Sequence, residues 1–137
     1  MTGFAPGTSL PKGAVVTPPC ALRQTTWGSN PARRAARACA RSNLLKCALH
    51  GEDPNWGRIL SVAGTTTATF APDQVDVMLN GVVIARNGSI GDDRSLVDMS
   101  GRTVVIEIDL KAGEHAASVW TNDLTATYVH ENSAYST

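Results

Sequence analysis

Apolar residues in the first part of the chain recur at helical spacing and predict a helix that begins at Pro31. Asn30 precedes it, and asparagine caps a helix well, whereas proline suits the first helical position. The apolar face repeats at i, i+3, i+4 and i+7, and its members are Ala32, Ala35, Ala36 and Cys39. A second face, which we expect to be exposed, carries Arg33, Arg37 and Arg41.

A second helix is predicted to begin near Asp53 and Pro54 and to end at Gly64. Aspartate caps backbone N–H groups, proline fits the first turn, and glycine suits a helix stop. One side of this helix is expected to be buried, and it carries Trp56, Ile59, Leu60 and Ala63. The apolar residues 44–49, between the two helices, are interpreted as an extended segment that leaves the first helix.

The second half of the chain alternates between apolar and polar side chains, as strands do. Residues 75–79 alternate, Asn80-Gly81 follows, and residues 82–84 are again apolar. Asn-Gly between apolar runs is the strongest short-range hairpin signal, because both turn positions need positive φ. We therefore predict a β-hairpin centred on Asn80 and Gly81.

Later segments complete the predicted fold. Residues 86–95 are interpreted as a loop, residues 104–110 as a half-exposed strand, and the region near 117–121 as a further strand. A last helix is predicted from about Thr125 to Ala134. Helices followed by strands and a terminal helix predict an α+β fold, with packed helices on a mixed or antiparallel sheet.

The first 30 residues differ from the rest of the chain. They are rich in Pro, Gly and Thr, they show no helical or strand period, and Pro18-Pro19 would break either element. We interpret residues 1–30 as an irregular arm, disordered or non-native, and residues 31–137 as the folded domain. The total of 137 residues suits one domain with a modest core.

Composition narrows the classes of partner. Residues 1–60 carry eight Lys/Arg and two Asp/Glu, whereas residues 61–137 carry four and ten. The basic half lacks interleaved aromatic residues and a recognised module, so a helix face that pairs with acidic loops or a partner chain is favoured over a nucleic-acid surface. No apolar run reaches the ~20 residues of a membrane span, and no signal-peptide pattern is present, which predicts the cytoplasm.

Cysteine and histidine residues suggest two further kinds of site. The cysteines are Cys20, Cys39 and Cys47, an odd number that argues against a disulfide framework in a cytoplasmic chain. Cys47-x-x-His50 permits a zinc site or a Cys–His nucleophile. Further zinc ligands would come from Cys39, His115 or His130. Structural zinc usually needs two paired motifs, and only one pair is present, so we predict no metal site. A Cys–His nucleophile pair needs an orienting third group, and none is evident in the sequence.

The stretch at residues 51–59 combines residue types that generic loops rarely bring together. It reads Gly51-Glu52-Asp53-Pro54-Asn55-Trp56-Gly57-Arg58-Ile59, and it follows Leu44-Leu45-Lys46-Cys47-Ala48. Downstream come Asn80-Gly81, the strand at 104–110, Thr121-Asn122-Asp123-Leu124-Thr125, and an ending with Tyr128-Val129, Asn132 and Tyr135. Over residues ~36–137 the chain resembles the ornithine acetyltransferase family, also called the arginine biosynthesis bifunctional protein.

The resemblance implies the C-terminal part of that family's fold, which is DmpA-like, and a function as an acyltransferase of arginine biosynthesis. Such an enzyme moves acetyl from N2-acetylornithine to glutamate, and some members also accept acetyl-CoA as a co-substrate; no cofactor is implied. The family's precursor cuts itself before a threonine, whose hydroxyl becomes the nucleophile beside its own free amine. The implied partners are an alpha chain and the remainder of a beta chain, in a hetero-oligomer such as a heterotetramer.

Two substrate-binding residues carry over from the family, Asn132 and Thr137. The amide of Asn132 can both donate and accept, and Thr137 offers a hydroxyl together with a terminal carboxylate for the ammonium of ornithine.

Three residues of the stretch at 51–59 are instead interpreted as structural. Asp53 serves as a helix cap, Trp56 as a core anchor, and Arg58 as a donor to carbonyls or to Asp53.

The chain departs from the family at the nucleophile. The family motif Lys-Gly-x-Gly-Met followed by Ala-Thr-Met-Leu is absent, and Lys12-Gly13-Ala14-Val15-Val16 shares only its first pair. Thr2, which removal of Met1 would expose, lacks the supporting segment and is disfavoured as a substitute. We therefore predict no catalytic residue and an incomplete chain that is inactive alone. The alternative is a non-catalytic interaction module derived from the same fold.

Overall fold

The computed structural model describes residues 13–17, 31–113 and 116–134, the first range as backbone. The strands within these ranges are β1 (Gly13–Thr17), β2 (Asp76–Leu79), β3 (Val82–Arg86), β4 (Ser89–Ile90), β5 (Thr103–Asp109) and β6 (Val119–Asn122). The helices are α1 (Pro31–Arg41), α2 (Asn43–His50), α3 (Trp56–Gly64) and α4 (Ala126–Ser133), with 3-10 turns at Pro72–Gln74 and Arg94–Leu96. The strands form one sheet in the order β4-β3-β2-β5-β1-β6. Only β1 and β5 pair in parallel, so the sheet is mixed and the predicted α+β class is confirmed.

β1 corrects the prediction that residues 1–30 are irregular. Gly13–Thr17 lies inside the sheet, paired with β5 on one side and with β6 on the other. A strand with neighbours on both sides needs no polar alternation, and a short apolar run such as Ala14-Val15-Val16 suits that position. The rest of the predicted arm lies outside the described residues, and the domain boundary at residue 31 stays a prediction.

α1 follows its predicted pattern closely. It begins at Pro31, and all four predicted apolar positions are buried, whereas the three arginines of the other face are exposed.

α2 corrects the prediction of an extended segment at residues 44–49. Ser42 caps this helix, since its Oγ accepts a hydrogen bond from the N–H of Leu45 at 3.3 Å. Leu45, Ala48 and Leu49 are buried at helical spacing, which makes this short apolar run a helix face.

α3 ends at Gly64 as predicted but begins with a different cap. Asn55 Oδ1 accepts from the N–H of Arg58 at 3.1 Å, so Asn55 is the cap residue. Asp53 instead accepts from Nδ2 of Asn55 at 3.1 Å, and the prediction that Asp53 caps the helix is wrong. The carboxylate therefore orients the capping amide rather than the helix itself.

The predicted hairpin is confirmed by the backbone of its turn. Asn80 has φ 46° and Gly81 has φ 83°, the positive values that a two-residue turn requires. Asn80 also ties the turn to β5, because its Oδ1 accepts from the N–H of Val105 at 2.8 Å. The region predicted as a loop at 86–95 contains the short strand β4 and one of the 3-10 turns.

One hydrophobic core joins the sheet to α1, α2 and α3. On β2 and β5 the buried positions alternate with half-buried ones, and register pairs Val77 with Ile108 and Leu79 with Ile106. These side chains share one cluster with Leu49 of α2. α4 is different, because none of its residues is buried. The sequence predicts this terminal helix, and the structure confirms it. Because α4 buries no residue of its own, contacts at its beginning hold it in place.

Candidate functional site

The segment that leads into α4 is fastened to the first two helices. The N–H of Leu124 donates to the carbonyl of Lys46 at 3.3 Å. Three residues earlier, on β6, Thr121 Oγ1 donates to the carbonyl of Ala40 at 2.8 Å. Two of the stretches that carry the family resemblance, residues 44–48 on α2 and residues 121–125 before α4, are thus adjacent in space.

An Asp–His pair reinforces this junction. His50 Nδ1, at the last residue of α2, lies 3.1 Å from Oδ2 of Asp123. The side chain of Asp123 is wholly buried, whereas that of His50 is 27% exposed. A buried carboxylate is costly without partners, so His50 stabilises Asp123 where it lies. Sequence reasoning missed this pair, because 73 positions separate the two residues.

Two of the three cysteines, Cys39 and Cys47, lie among the described residues. No group of three His, Cys, Asp or Glu side chains within the described ranges is placed to hold a metal ion. Cys39 is buried in the core, and burial raises the pKa of its thiol to about 12, so it stays neutral at physiological pH. Cys47 is exposed. Asp123 is the orienting group of His50, and it contacts the ring nitrogen Nδ1.

The stretch at residues 51–59 is a scaffold for the helix junction. Arg58 Nη1 donates to the carbonyl of Leu44 at 2.8 Å, which links α3 to the first turn of α2 and confirms its structural interpretation. Trp56 is half-buried and packs against the hydrophobic core, as a core anchor does. Sequence and structure therefore agree that Arg58 and Trp56 position the elements around the site.

Asn132, predicted to bind substrate, lies exposed on α4. Its Nδ2 donates to the carbonyl of Tyr128 one turn earlier, at 2.8 Å. The other predicted substrate-binding residue, Thr137, lies outside the described residues. Substrate binding by these two side chains stays a prediction.

A small cavity opens beside the first turn of α4. Its volume is about 220 Å³. It lies between α2 and the segment that follows β6, and its lining residues are Asn43, Lys46, Asn122, Asp123, Leu124 and Tyr128. Tyr128 and Asn132 are four positions apart, the spacing that places two side chains on one face of a helix. The cavity and the predicted substrate amide therefore lie on the same side of α4.

A second cavity, of about 420 Å³, lies between Trp56 and the β3–β4 hairpin. Its acidic residues serve local structure. Asp93 accepts from the N–H of Ser95 at 2.9 Å, and Asp92 lies 3.6 Å from the guanidinium of Arg86. The cavity at α4 is the better candidate, because it adjoins both stretches of the resemblance.

In the parts of the chain that the structure describes, no helix has the length and apolar character of a membrane span.

Comparison with known proteins gives the family. The model of the ArgJ family matches residues 24–137. The chain is 62% identical over 103 residues to the arginine biosynthesis bifunctional protein ArgJ of Streptomyces coelicolor, across 75% of this chain and 27% of that protein. It is 43% identical over 102 residues to the protein of that name from Mycobacterium tuberculosis, across 74% of this chain and 25% of that protein.

A solved structure agrees with the sequence comparison. The crystal structure of the arginine biosynthesis bifunctional protein from Bacillus halodurans superposes with a TM-score of 0.79 at 25% identity, over 90% of this chain and 58% of that one. This confirms the expected resemblance in fold. The chain spans about a quarter of the length of the curated relatives it matches. With the family model covering most of its residues, the chain belongs to the ArgJ family.

Proposed function

We propose that this chain supplies a substrate-binding part of an acetyltransferase of arginine biosynthesis, which moves acetyl from N2-acetylornithine to glutamate. The observation that carries the proposal is membership of the ArgJ family, whose relatives are named for arginine biosynthesis. The geometry supports it, because the cavity lies between α2 and the start of α4 and is lined by Tyr128, whose carbonyl accepts from the amide of Asn132 at 2.8 Å.

The chemistry divides between this chain and its partner polypeptides. A threonine hydroxyl on the partner attacks the acetamide carbonyl of N2-acetylornithine, and ornithine leaves as its amine takes up a proton. The amine of glutamate then attacks the acetyl ester, which forms N-acetylglutamate and returns the hydroxyl. Asn132 orients the amino-acid portion of the substrate with its amide, and Thr137 adds a hydroxyl.

The implied assembly is a hetero-oligomer in the cytoplasm, formed with an alpha chain and the remainder of a beta chain. Two large side chains are open to a protein partner, since Trp120 on β6 and Tyr128 on α4 are 71% and 60% exposed. Trp and Tyr are enriched at protein interfaces. No cofactor enters the scheme, and acetyl-CoA serves only as an additional acetyl donor.

A graft tests this function. Residues 31–137 replace the matching C-terminal segment of the Streptomyces coelicolor relative, and acetyl transfer from N2-acetylornithine to glutamate is measured. We expect activity, and we expect Asn132→Ala to raise KM for N2-acetylornithine roughly tenfold, because a lost ligand hydrogen bond of 1–2 kcal/mol corresponds to about that factor. Glu131→Gln, at the neighbouring exposed position of α4, is the matched control.

The alternative is a non-catalytic interaction module that keeps the fold without the chemistry. The exposed Trp120 and Tyr128 favour it as much as they favour a hetero-oligomer. The graft separates the two functions. A correctly folded graft without acetyl transfer would favour the module, whereas restored transfer that depends on Asn132 would favour the enzyme.

A further inference from the structure

Lys46 is a cation held at the wall of the cavity beside α4. Its side chain is half-buried, and it forms no ion pair with the described residues. Its backbone is fixed on both sides, because its N–H donates to the carbonyl of Ser42 at 2.9 Å and its carbonyl accepts from Leu124 at 3.3 Å. By contrast, the ammonium of Lys111 lies 3.0 Å from the carboxylate of Asp76.

The other polar groups around the cavity complement an acid. The neutral polar residues that line it are Asn43 and Asn122, whose side chains are amides, and Tyr128, whose side chain carries a phenol hydroxyl. Asp123 also lines the cavity, but its side chain is wholly buried and its carboxylate is paired with His50 at 3.1 Å. A ligand that enters the cavity therefore meets the positive charge of Lys46 together with neutral hydrogen-bonding groups.

The size of the cavity limits the ligand. Sites for drug-sized molecules occupy roughly 300–1,000 Å³, whereas this one measures about 220 Å³. It accommodates one end of an amino acid or a small carboxylic acid. A carboxylate is the group of that size which ammonium and hydroxyl donors bind with strong, charge-assisted hydrogen bonds.

We propose that this cavity is a carboxylate subsite in which Lys46 binds the acid group of an amino-acid substrate. The inference rests on the proposed function and deepens it, since N2-acetylornithine and glutamate both carry a carboxylate. Tyr128 adds a hydroxyl from α4, and its carbonyl holds the amide of Asn132 at 2.8 Å. The subsite and the predicted substrate amide are thereby coupled through one turn of helix.

Kinetics of the graft test the subsite with a matched pair of substrates. N2-acetylornithine carries the carboxylate, and its carboxamide lacks the charge. We expect Lys46→Met to raise KM for the acid about tenfold, with kcat little changed and with KM for the carboxamide unaltered. Arg37→Met, an exposed cation on α1, is the control and leaves both values as they are. An equal change for acid and carboxamide would overturn the subsite.

Direct binding separates failure of the subsite from failure of the proposed function. The full 137-residue chain is titrated with glutamate, and backbone amide shifts are followed by NMR. We expect shifts at Lys46, Leu124 and Tyr128 that Lys46→Met abolishes and that Tyr128→Phe weakens. Binding here with an inactive graft would overturn the acetyltransferase and keep the subsite. An active graft without these shifts, and with unchanged KM in Lys46→Met, would overturn the subsite alone.

Discussion

His50 Nδ1 lies 3.1 Å from Oδ2 of Asp123, and this pair joins the last residue of α2 to the segment that leads into α4. The buried carboxylate cannot remain where it is without hydrogen-bond donors. Since α4 buries none of its own residues, its position depends on the segment before it. The His50–Asp123 pair therefore contributes to the position of the cavity and of α4 relative to α2, together with the hydrogen bond from Leu124 to Lys46.

Replacing His50 tests that dependence. We expect His50→Ala to lower the free energy of unfolding by about 1–3 kcal/mol, since a buried carboxylate loses a partner. Urea denaturation followed by circular dichroism measures the change. His130→Ala, on the exposed surface of α4, serves as the control and should stay within ~0.5 kcal/mol of the unsubstituted chain. Equal stability of the two variants would show that the pair does not hold the junction.

Backbone geometry predicts opposite effects of alanine at two glycines, one in the hairpin turn and one at the end of α3. Gly81 has φ 83°, which side chains rarely adopt, so Gly81→Ala should destabilise by about 1 kcal/mol. Gly64 ends α3, and a methyl group there meets nothing within 4 Å. Gly64→Ala should therefore stabilise by about 0.5–1 kcal/mol. Thermal unfolding of both variants measures the difference, and a shift of the same sign in both would contradict the turn geometry.

Arg58 is expected to act through structure and not through substrate. Arg58→Met removes the hydrogen bond to the carbonyl of Leu44 and should cost about 1.5–3 kcal/mol of unfolding free energy, the range for hydrogen bonds to charged groups. In the graft, KM for N2-acetylornithine should then be unchanged once the variant is folded. A tenfold rise in KM without loss of stability would instead place Arg58 on the substrate.

The two described cysteines should react differently. Burial raises the pKa of Cys39 to about 12, whereas Cys47 is exposed. With iodoacetamide at pH 8 and peptide mapping, we expect Cys47 to be alkylated and Cys39 to be protected until the chain unfolds, because the thiolate is the nucleophile. Alkylation of Cys39 at the rate of Cys47 would contradict its burial.

The same raised pKa has a consequence for alkaline stability. The thiol of Cys39 ionises near pH 9.0 when the chain is unfolded and near pH 12 when it is folded. Its contribution to stability is complete below pH 9 and is lost as the pH rises towards 12. Cys39→Ala should flatten that alkaline decline, which urea denaturation across the pH range would detect.

The sequence predicts well the elements whose pattern is local. The apolar face of α1, the Asn80-Gly81 turn and the alternation of β5 each follow from neighbouring residues alone. It fails where two local signals compete. Near α3, both Asp53 and Asn55 are good caps, and the choice of Asn55 depends on the hydrogen bond that its amide donates to the carboxylate of Asp53. Residues 44–49 form a short apolar run, which periodicity alone does not assign to a helix or a strand, and the cap at Ser42 is the signal that marks the helix.

The candidate site depends on contacts that no local pattern contains. His50 and Asp123 meet only because β6 lies beside β1 and against α1. β1 itself lies in a proline-rich region without a strand period, and only its pairing with β5 and β6 defines it. The cavity follows from the same arrangement, so Lys46 carries no sign of its role in the sequence around it.

Transfer of a labelled acetyl group tests the central claim most directly. The Streptomyces coelicolor relative carrying residues 31–137 is given N2-acetylornithine with carbon-13 in its acetyl group, together with unlabelled glutamate. We expect labelled N-acetylglutamate and free ornithine in equal amounts. We expect neither product from the relative that lacks the segment. A folded graft that leaves the label on N2-acetylornithine would contradict the claim that this chain serves an acetyltransferase.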